Sequence, residues 1–175
     1  SIAASSDRVV VHQALKHLVV GGNALIFMGK DGLKHYPLNR YVVERDGNGN
    51  VIEIVTKELI SKKLLPQKLL DDVKPRSVID DSMAGDDAEI FTHVKLDNNR
   101  WVWYQEAFGN RIPGSEGKAP KDASPWLVLR FNTVDGEDYG RGRCEEFLGD
   151  LKSLNALSQA IVEGSAAAAK VVFVV

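Results

Sequence analysis

Cysteine is almost absent from this chain. The single Cys144 among 175 residues excludes an intramolecular disulfide framework and a cysteine-rich zinc module, and a reducing compartment follows as the default. Long apolar runs are missing too. No stretch approaches the roughly 18–20 residues that a membrane-spanning helix needs. Polar Ser5, Ser6, Asp7 and Arg8 stand where a signal peptide would carry its apolar segment. Nor is there an excess of positive charge: 22 basic and 24 acidic side chains leave a net charge of −2. Phosphate neutralisation supplies most of the affinity of a free-standing nucleic-acid binder, so this balance removes its simplest form. What is present is ordinary for a globular domain, with 44% hydrophobic and 26% charged residues. Position 1 is not methionine, and the chain stops within the apolar run AAAAKVVFVV. From sequence alone, both ends are expected to be cut.

The pattern along the chain predicts an α+β fold. Residues 1–23 read as a helix, with Ser6 as N-cap, Val10, Ala14, Leu15, Leu18 and Val19 on one face, and Gly21-Gly22-Asn23 as terminator. Residues 24–133 read as mainly β. A buried strand at 24–28 is followed by two hairpins, one around the turn Asp46-Gly-Asn-Gly-Asn50 and one around Asp97-Asn-Asn-Arg100. A short helical insert is expected near 57–73, interrupted at Pro66, and then an exposed acidic loop at 71–89. A Gly/Pro-rich connection at 109–125 leads to a strand at 126–131. Residues 140–170 are expected to form a long helix, with Phe147, Leu148, Leu151, Leu154, Leu157 and Ile161 as its apolar stripe.

A search for chemistry returns little. His12 and His17 are five apart, so they miss the i,i+4 spacing of a helical zinc pair, and His93 lies in an alternating strand. All four histidines, His35 included, read as ordinary surface or half-buried residues. No serine sits in a nucleophile elbow, and Cys144 has Arg143 and Glu145 as neighbours rather than a histidine. Gly140-Arg-Gly142 precedes a helix, but lacks the strand and Lys-Ser/Thr context of a phosphate loop. The acidic residues Asp71, Asp72, Asp80, Asp81, Asp86 and Asp87 lack calcium-loop spacing. No metal or cofactor is expected. A second charged cluster, Glu137, Asp138, Glu145, Glu146 and Asp150 around Arg141, Arg143 and Lys152, fits either dipole complementation or an ion network between subunits.

Several strings resemble one family. They are Leu15-Lys-His-Leu-Val-Val-Gly-Gly-Asn-Ala-Leu25, Tyr41-Val-Val-Glu-Arg-Asp-Gly-Asn-Gly-Asn-Val51 and Phe91-Thr-His-Val-Lys-Leu-Asp97. The most specific is Asp135-Gly-Glu-Asp-Tyr-Gly-Arg141 followed by Glu145-Glu-Phe-Leu-Gly-Asp-Leu-Lys-Ser-Leu154. Together they resemble the head-to-tail connector (portal) protein of short-tailed bacteriophages, over a central minority of its subunit. Gly142-Arg143-Cys144 departs from the family pattern. The resemblance implies a non-catalytic structural subunit of a homo-oligomeric, dodecameric ring at one capsid vertex. Double-stranded DNA passes through such a ring without sequence specificity, and capsid, tail and terminase proteins contact it. It further implies a place in the virion, with assembly in the host cytoplasm, and no membrane. Asp138, Tyr139, Gly140, Arg141, Arg143, Glu145, Glu146 and Asp150 are then the candidate subunit-interface or structural motif.

Two other readings stay open from residues alone. A small-molecule enzyme would have its site near Tyr139, Arg141 and Asp150. A nucleic-acid-binding β module would use Trp101, Trp103 and Lys95.

Overall fold

The computed structural model describes residues 2–66 and 87–171, the side chains of 2–5 and 171 excepted. Two antiparallel sheets face each other, and a helix covers the far side of the smaller one. That arrangement follows from alternation. In β1 (Asn23–Gly29), Leu25 and Phe27 point to one face while Ala24 and Ile26 point to the other, because successive side chains leave a strand on opposite sides. With both faces apolar, this strand needs cover on both.

The smaller sheet has the order β2-β1-β9, with β2 at Gly32–Tyr36 and β9 at Trp126–Arg130. Its outer face takes helix α1 (Ile2–Gly21) through Ala14 and Leu18, packed on Ala24, Ile26, Leu33 and Leu129. The larger sheet runs β3 (Tyr41–Arg45), β4 (Val51–Ser61), β5 (Asp87–Asp97), β6 (Arg100–Ala107) and β7 (Asn110–Arg111), and β8 (Gly117–Pro120) also pairs with β6. Between the sheets lies the main core: Leu25, Tyr36 and Trp126 from one side, Tyr41, Val43, Ile54, Val94 and Trp101 from the other. Burying an aliphatic or aromatic side chain of this size contributes about 1.5–3 kcal/mol, so this layer dominates the stability.

The two expected hairpins are β3–β4 and β5–β6, and helices lie at both ends, so the α+β class stands. Asn98 and Asn99 turn the second hairpin with φ of 44° and 65°, a backbone that asparagine tolerates better than most residues. Other expectations need correction. Helix α1 starts at Ile2, so Ser6 lies within it and is not an N-cap. Residues 57–61 are strand, not helix: β4 continues to Ser61 because β5 offers a ladder from Lys57↔Phe91 to Ser61↔Asp87. Long-range pairing outweighs the local helical pattern there. Only Lys62–Leu64 makes a 3-10 turn, and the remainder of the expected insert, from 67 on, falls outside the described residues. Of the expected acidic loop, 87–89 open β5 and the part before 87 also falls outside. The Gly/Pro-rich connection carries β7 and β8. Gly117 allows its strand to lie against the Trp103 ring, where a Cβ would meet ring atoms.

The last helix begins at Arg143 and is broken at Phe147 (φ −103°, ψ 16°) into α2 (Arg143–Glu146) and α3 (Leu148–Val171). Its stripe is exposed in the described chain. Phe147, Leu148, Leu151, Leu154, Leu157 and Ile161 are 46–61% exposed.

Candidate functional site

The candidate motif forms a strap from 132 to 146 that ties together parts of the fold far apart in sequence. It starts where β9 ends. Phe131 donates its N–H to the Gly22 carbonyl (2.9 Å), and Asn132 exchanges main-chain hydrogen bonds with Arg141 at 2.8 and 3.3 Å, closing the strap into a loop. Gly136, with φ +81°, supplies the left-handed turn inside that loop.

Three residues of the strap carry it across the molecule. The Tyr139 hydroxyl accepts from the Val43 N–H at 3.0 Å. An Asp138 carboxylate oxygen accepts from the Arg45 N–H at 3.1 Å, and the Asp138 carbonyl accepts from Arg45 Nε at 2.9 Å. Val43 and Arg45 belong to β3, the edge strand of the larger sheet, and these N–H groups point away from β4. Unpaired edge N–H groups invite another strand, and side chains that occupy them close the edge. Gly140 is held by Asn23: its N–H donates to Asn23 Oδ1 and its carbonyl accepts from Asn23 Nδ2, both at 2.7 Å and both buried. Asn23 Nδ2 also reaches the Gly21 carbonyl at 3.1 Å, which fastens the end of α1 to the same point.

The glycines make this closeness possible. A Cβ on Gly140 would sit 2.6 Å from the Gly22 carbonyl oxygen, and one on Gly142 would be 2.6 Å from the Gly22 nitrogen. Gly22 itself has φ +79°.

The charged members behave differently. Arg141 pairs with Glu137 at 2.7 Å and stands 3.8 Å from Glu145, and Arg143 pairs with Glu146 at 3.1 Å, all at the surface. The hydrogen bond from Arg141 holds the Glu137 carboxyl below its usual range, and Glu137 in turn raises the Arg141 pKa. Glu146 also accepts from Asn132 Nδ2, and the Arg143 guanidinium lies 5.6 Å from the Phe131 ring centre. Asp150 joins none of this: its side chain has no hydrogen bond or ion pair among the described residues. The structure thus gathers Asp138, Tyr139 and Gly140 into an internal clamp. It leaves Arg141, Arg143, Glu145 and Glu146 as an exposed ion network at the root of α3.

Sequence reasoning missed Asn23, Val43 and Arg45, the other half of the clamp. Asn23 and Gly140 are 117 residues apart, and no local pattern links them. Arg45 is also tied to the Gly49 carbonyl at 2.8 Å. Burial weighs most against its charge, Arg130 adds repulsion, and Asp138 opposes both.

Beside the strap lies a cleft of about 600 Å³ between the β3–β4 turn and residues 133–138. Arg45, Arg130, Asp46, Glu137 and Asp138 line it, with no histidine, serine or cysteine. Asp138 binds Arg45, Glu137 binds Arg141, and Asp46 binds the amides of its own turn, so these three carboxylates already have partners, whereas the Asp135 carboxylate, which also lines the cleft, has none among the described residues. Tyr139 and Arg141 do not line the cleft. Among the described residues no three metal-ligating side chains converge, and no helix is long and apolar enough to cross a membrane. The aromatic residues of the nucleic-acid alternative are committed to packing as well. Trp101 is 7% exposed and donates to the Lys121 carbonyl (3.2 Å), and Trp103 lies against Gly117.

The fold is a clamped double-sheet body that ends in a helix with an exposed apolar stripe. The sequence matches the bacteriophage head to tail connecting protein family over residues 1–175, and the chain belongs to that family. It is 37% identical to the portal protein of Escherichia phage T7 and 39% identical to that of Enterobacteria phage T3, each over 98% of this chain. To the portal protein of Pseudomonas phage phiKMV it is 32% identical over 89% of the chain. The chain spans about a third of the length of these relatives: 33%, 33% and 31%.

Proposed function

We propose that this chain forms the body and the emerging helix of a portal subunit. In this reading it is a non-catalytic structural component of a closed homo-oligomeric ring at one vertex of a phage capsid. Double-stranded DNA passes through the ring during packaging and ejection, tail and capsid proteins attach to it, and the terminase docks there. The ring is dodecameric, resides in the virion and assembles in the host cytoplasm.

The observation that carries this reading is the family match across all 175 residues, together with portal relatives at 37% and 39% identity. The structure supports it in physical terms. The apolar stripe of α3 is exposed along its length, and a soluble chain seldom leaves so long a patch uncovered unless another surface meets it. In a closed ring each subunit presents two different, complementary faces. The net charge of −2 suits a wall past which DNA slides, because few neutralised phosphates mean weak binding.

We assign Arg141, Arg143, Glu145, Glu146 and Asp150 to the seam between subunits or to the setting of the α3 direction. Electron microscopy of the full-length subunit should show closed rings, and a monodisperse monomer would overturn the reading. The Arg141→Glu variant should fold normally yet assemble poorly. Intact rings from that variant would remove the assignment of the charged network to the seam.

A further inference from the structure

Helix α1 is attached to the smaller sheet by one small apolar cluster, by Asp7 and by a histidine pair. Ala14 and Leu18 supply the apolar contact, and Asp7 Oδ1 accepts from the Leu33 N–H at 2.9 Å. His17 of α1 lies over His35 of β2, with ring centres 4.7 Å apart and planes at 45°. His17 is solvent-exposed, whereas His35 is half-buried and its Nε2 is buried without a hydrogen-bond partner among the described residues.

A neutral imidazole tolerates that position, since Nε2 can remain an unprotonated lone pair. A proton there would place a charged N–H in a site with no acceptor, facing a second imidazole. Burying a charge without a partner is costly, and two like charges at this separation repel.

We propose that the His17–His35 contact is a proton-sensitive latch: α1 stays docked on the sheet while the buried His35 ring is neutral and loosens when it becomes protonated. Other charged groups around the pair do not offset this. Asp7, on the same helix, is engaged by the Leu33 amide. Lys34, next to His35 in β2, points to the opposite side of its strand and pairs with Glu58 of the larger sheet. Lys16 is exposed on α1 and positive. In β1 the residue paired with His35 is Ile26, which carries no charge.

The His35 pKa lies below 6.5, first through burial and then through His17. The docked state therefore binds fewer protons than the undocked one. Its stability is complete above pH 6.5, declines as pH falls from 6.5 to the lowered pKa, and stays constantly reduced below that. Each unit by which the two values differ weakens docking about tenfold. Helix α1 is loosened in the turns around His17. Its inner end stays fastened through the Asn23 contact to the Gly21 carbonyl and through the packing of Gly142 on Val20.

Hydrogen exchange of the intact protein, corrected for the intrinsic pH dependence of exchange, tests this between pH 7.5 and 5.0. Protection of α1 amides should fall several-fold relative to β4 and β5. The fall should shrink in His17→Gln, a surface change that leaves the sheet untouched, and vanish in His35→Phe. Unchanged α1 protection in the wild type, or an undiminished fall in both variants, overturns the latch. Should His35→Phe fail to fold, the NMR titration of the wild-type His35 ring decides: a midpoint at or above 6.5 refutes the proposal.

Discussion

The Tyr139 hydroxyl accepts a hydrogen bond from the main-chain N–H of Val43 at 3.0 Å, across 96 residues of sequence. One phenol thereby fills an edge position of the larger sheet and anchors the strap that leads to α2 and α3. Removing only the oxygen isolates that contribution. Tyr139→Phe keeps the ring among its apolar neighbours and leaves the Val43 amide without its partner. The expected cost is about 1–2 kcal/mol, read from the urea midpoint, with faster exchange of the Val43 amide than of Ile54. Wild-type stability in Tyr139→Phe would mean that solvent serves this amide equally well.

Asn23 is a sharper case, since it is 4% exposed and serves both the N–H and the carbonyl of Gly140. Asn23→Ala leaves two buried main-chain groups unsatisfied. Asn23→Asp keeps an acceptor for the N–H, but turns a donor into a buried negative charge facing a carbonyl. Both should lose about 2–4 kcal/mol in chemical denaturation. Asn23→Asp should recover part of its loss in acid, where the protonated carboxyl can donate to Gly140.

Two glycines should respond with opposite sign. A methyl at Gly142 would run into the Val20 carbonyl, which is backbone and cannot step aside cheaply. Gly142→Ala should cost about 3 kcal/mol. Gly164 has open space around it in the middle of α3. Gly164→Ala should raise helicity and favour the helix by about 0.5–1 kcal/mol. Circular dichroism and thermal melting of the pair test both.

The β3–β4 turn should carry its own acid sensitivity. Asp46 accepts from the Asn48 N–H, the Asn50 N–H and Asn50 Nδ2 at 2.8–3.0 Å. The Asn50 side-chain bond, foremost among these, holds its carboxyl below the ordinary 3.8. A lowered carboxylate pKa stabilises the folded turn above pH 3.8, and this is lost as pH falls through the lowered value. Exchange of the Asn48 and Asn50 amides should quicken in Asp46→Ala at neutral pH, while variant and wild type converge once the pH has fallen below the lowered value. A constant ratio at all pH values would place the stabilisation elsewhere.

Local periodicity and turn chemistry by themselves determined much of this protein. The alternation of Val94, Thr92 and Ile90 against Lys95, His93 and Phe91, with paired asparagines at the turn, suffices for a hairpin, because pleat and turn depend on near neighbours only. The same holds for the end of α1 at Gly21-Gly22 and for the apolar stripe of the last helix. Tertiary structure decided what no local pattern encodes. It drew residues 57–61 into a strand, since a partner strand offers a ladder that an isolated segment cannot have. It also turned Asp138, Tyr139 and Gly140 into a clamp, whose counterparts Arg45, Val43 and Asn23 lie 93–117 residues away. Likewise it set His35 beneath His17. Contacts at such separations exist only once the sheets have packed, so their energetics belong to the fold and not to any segment of the sequence.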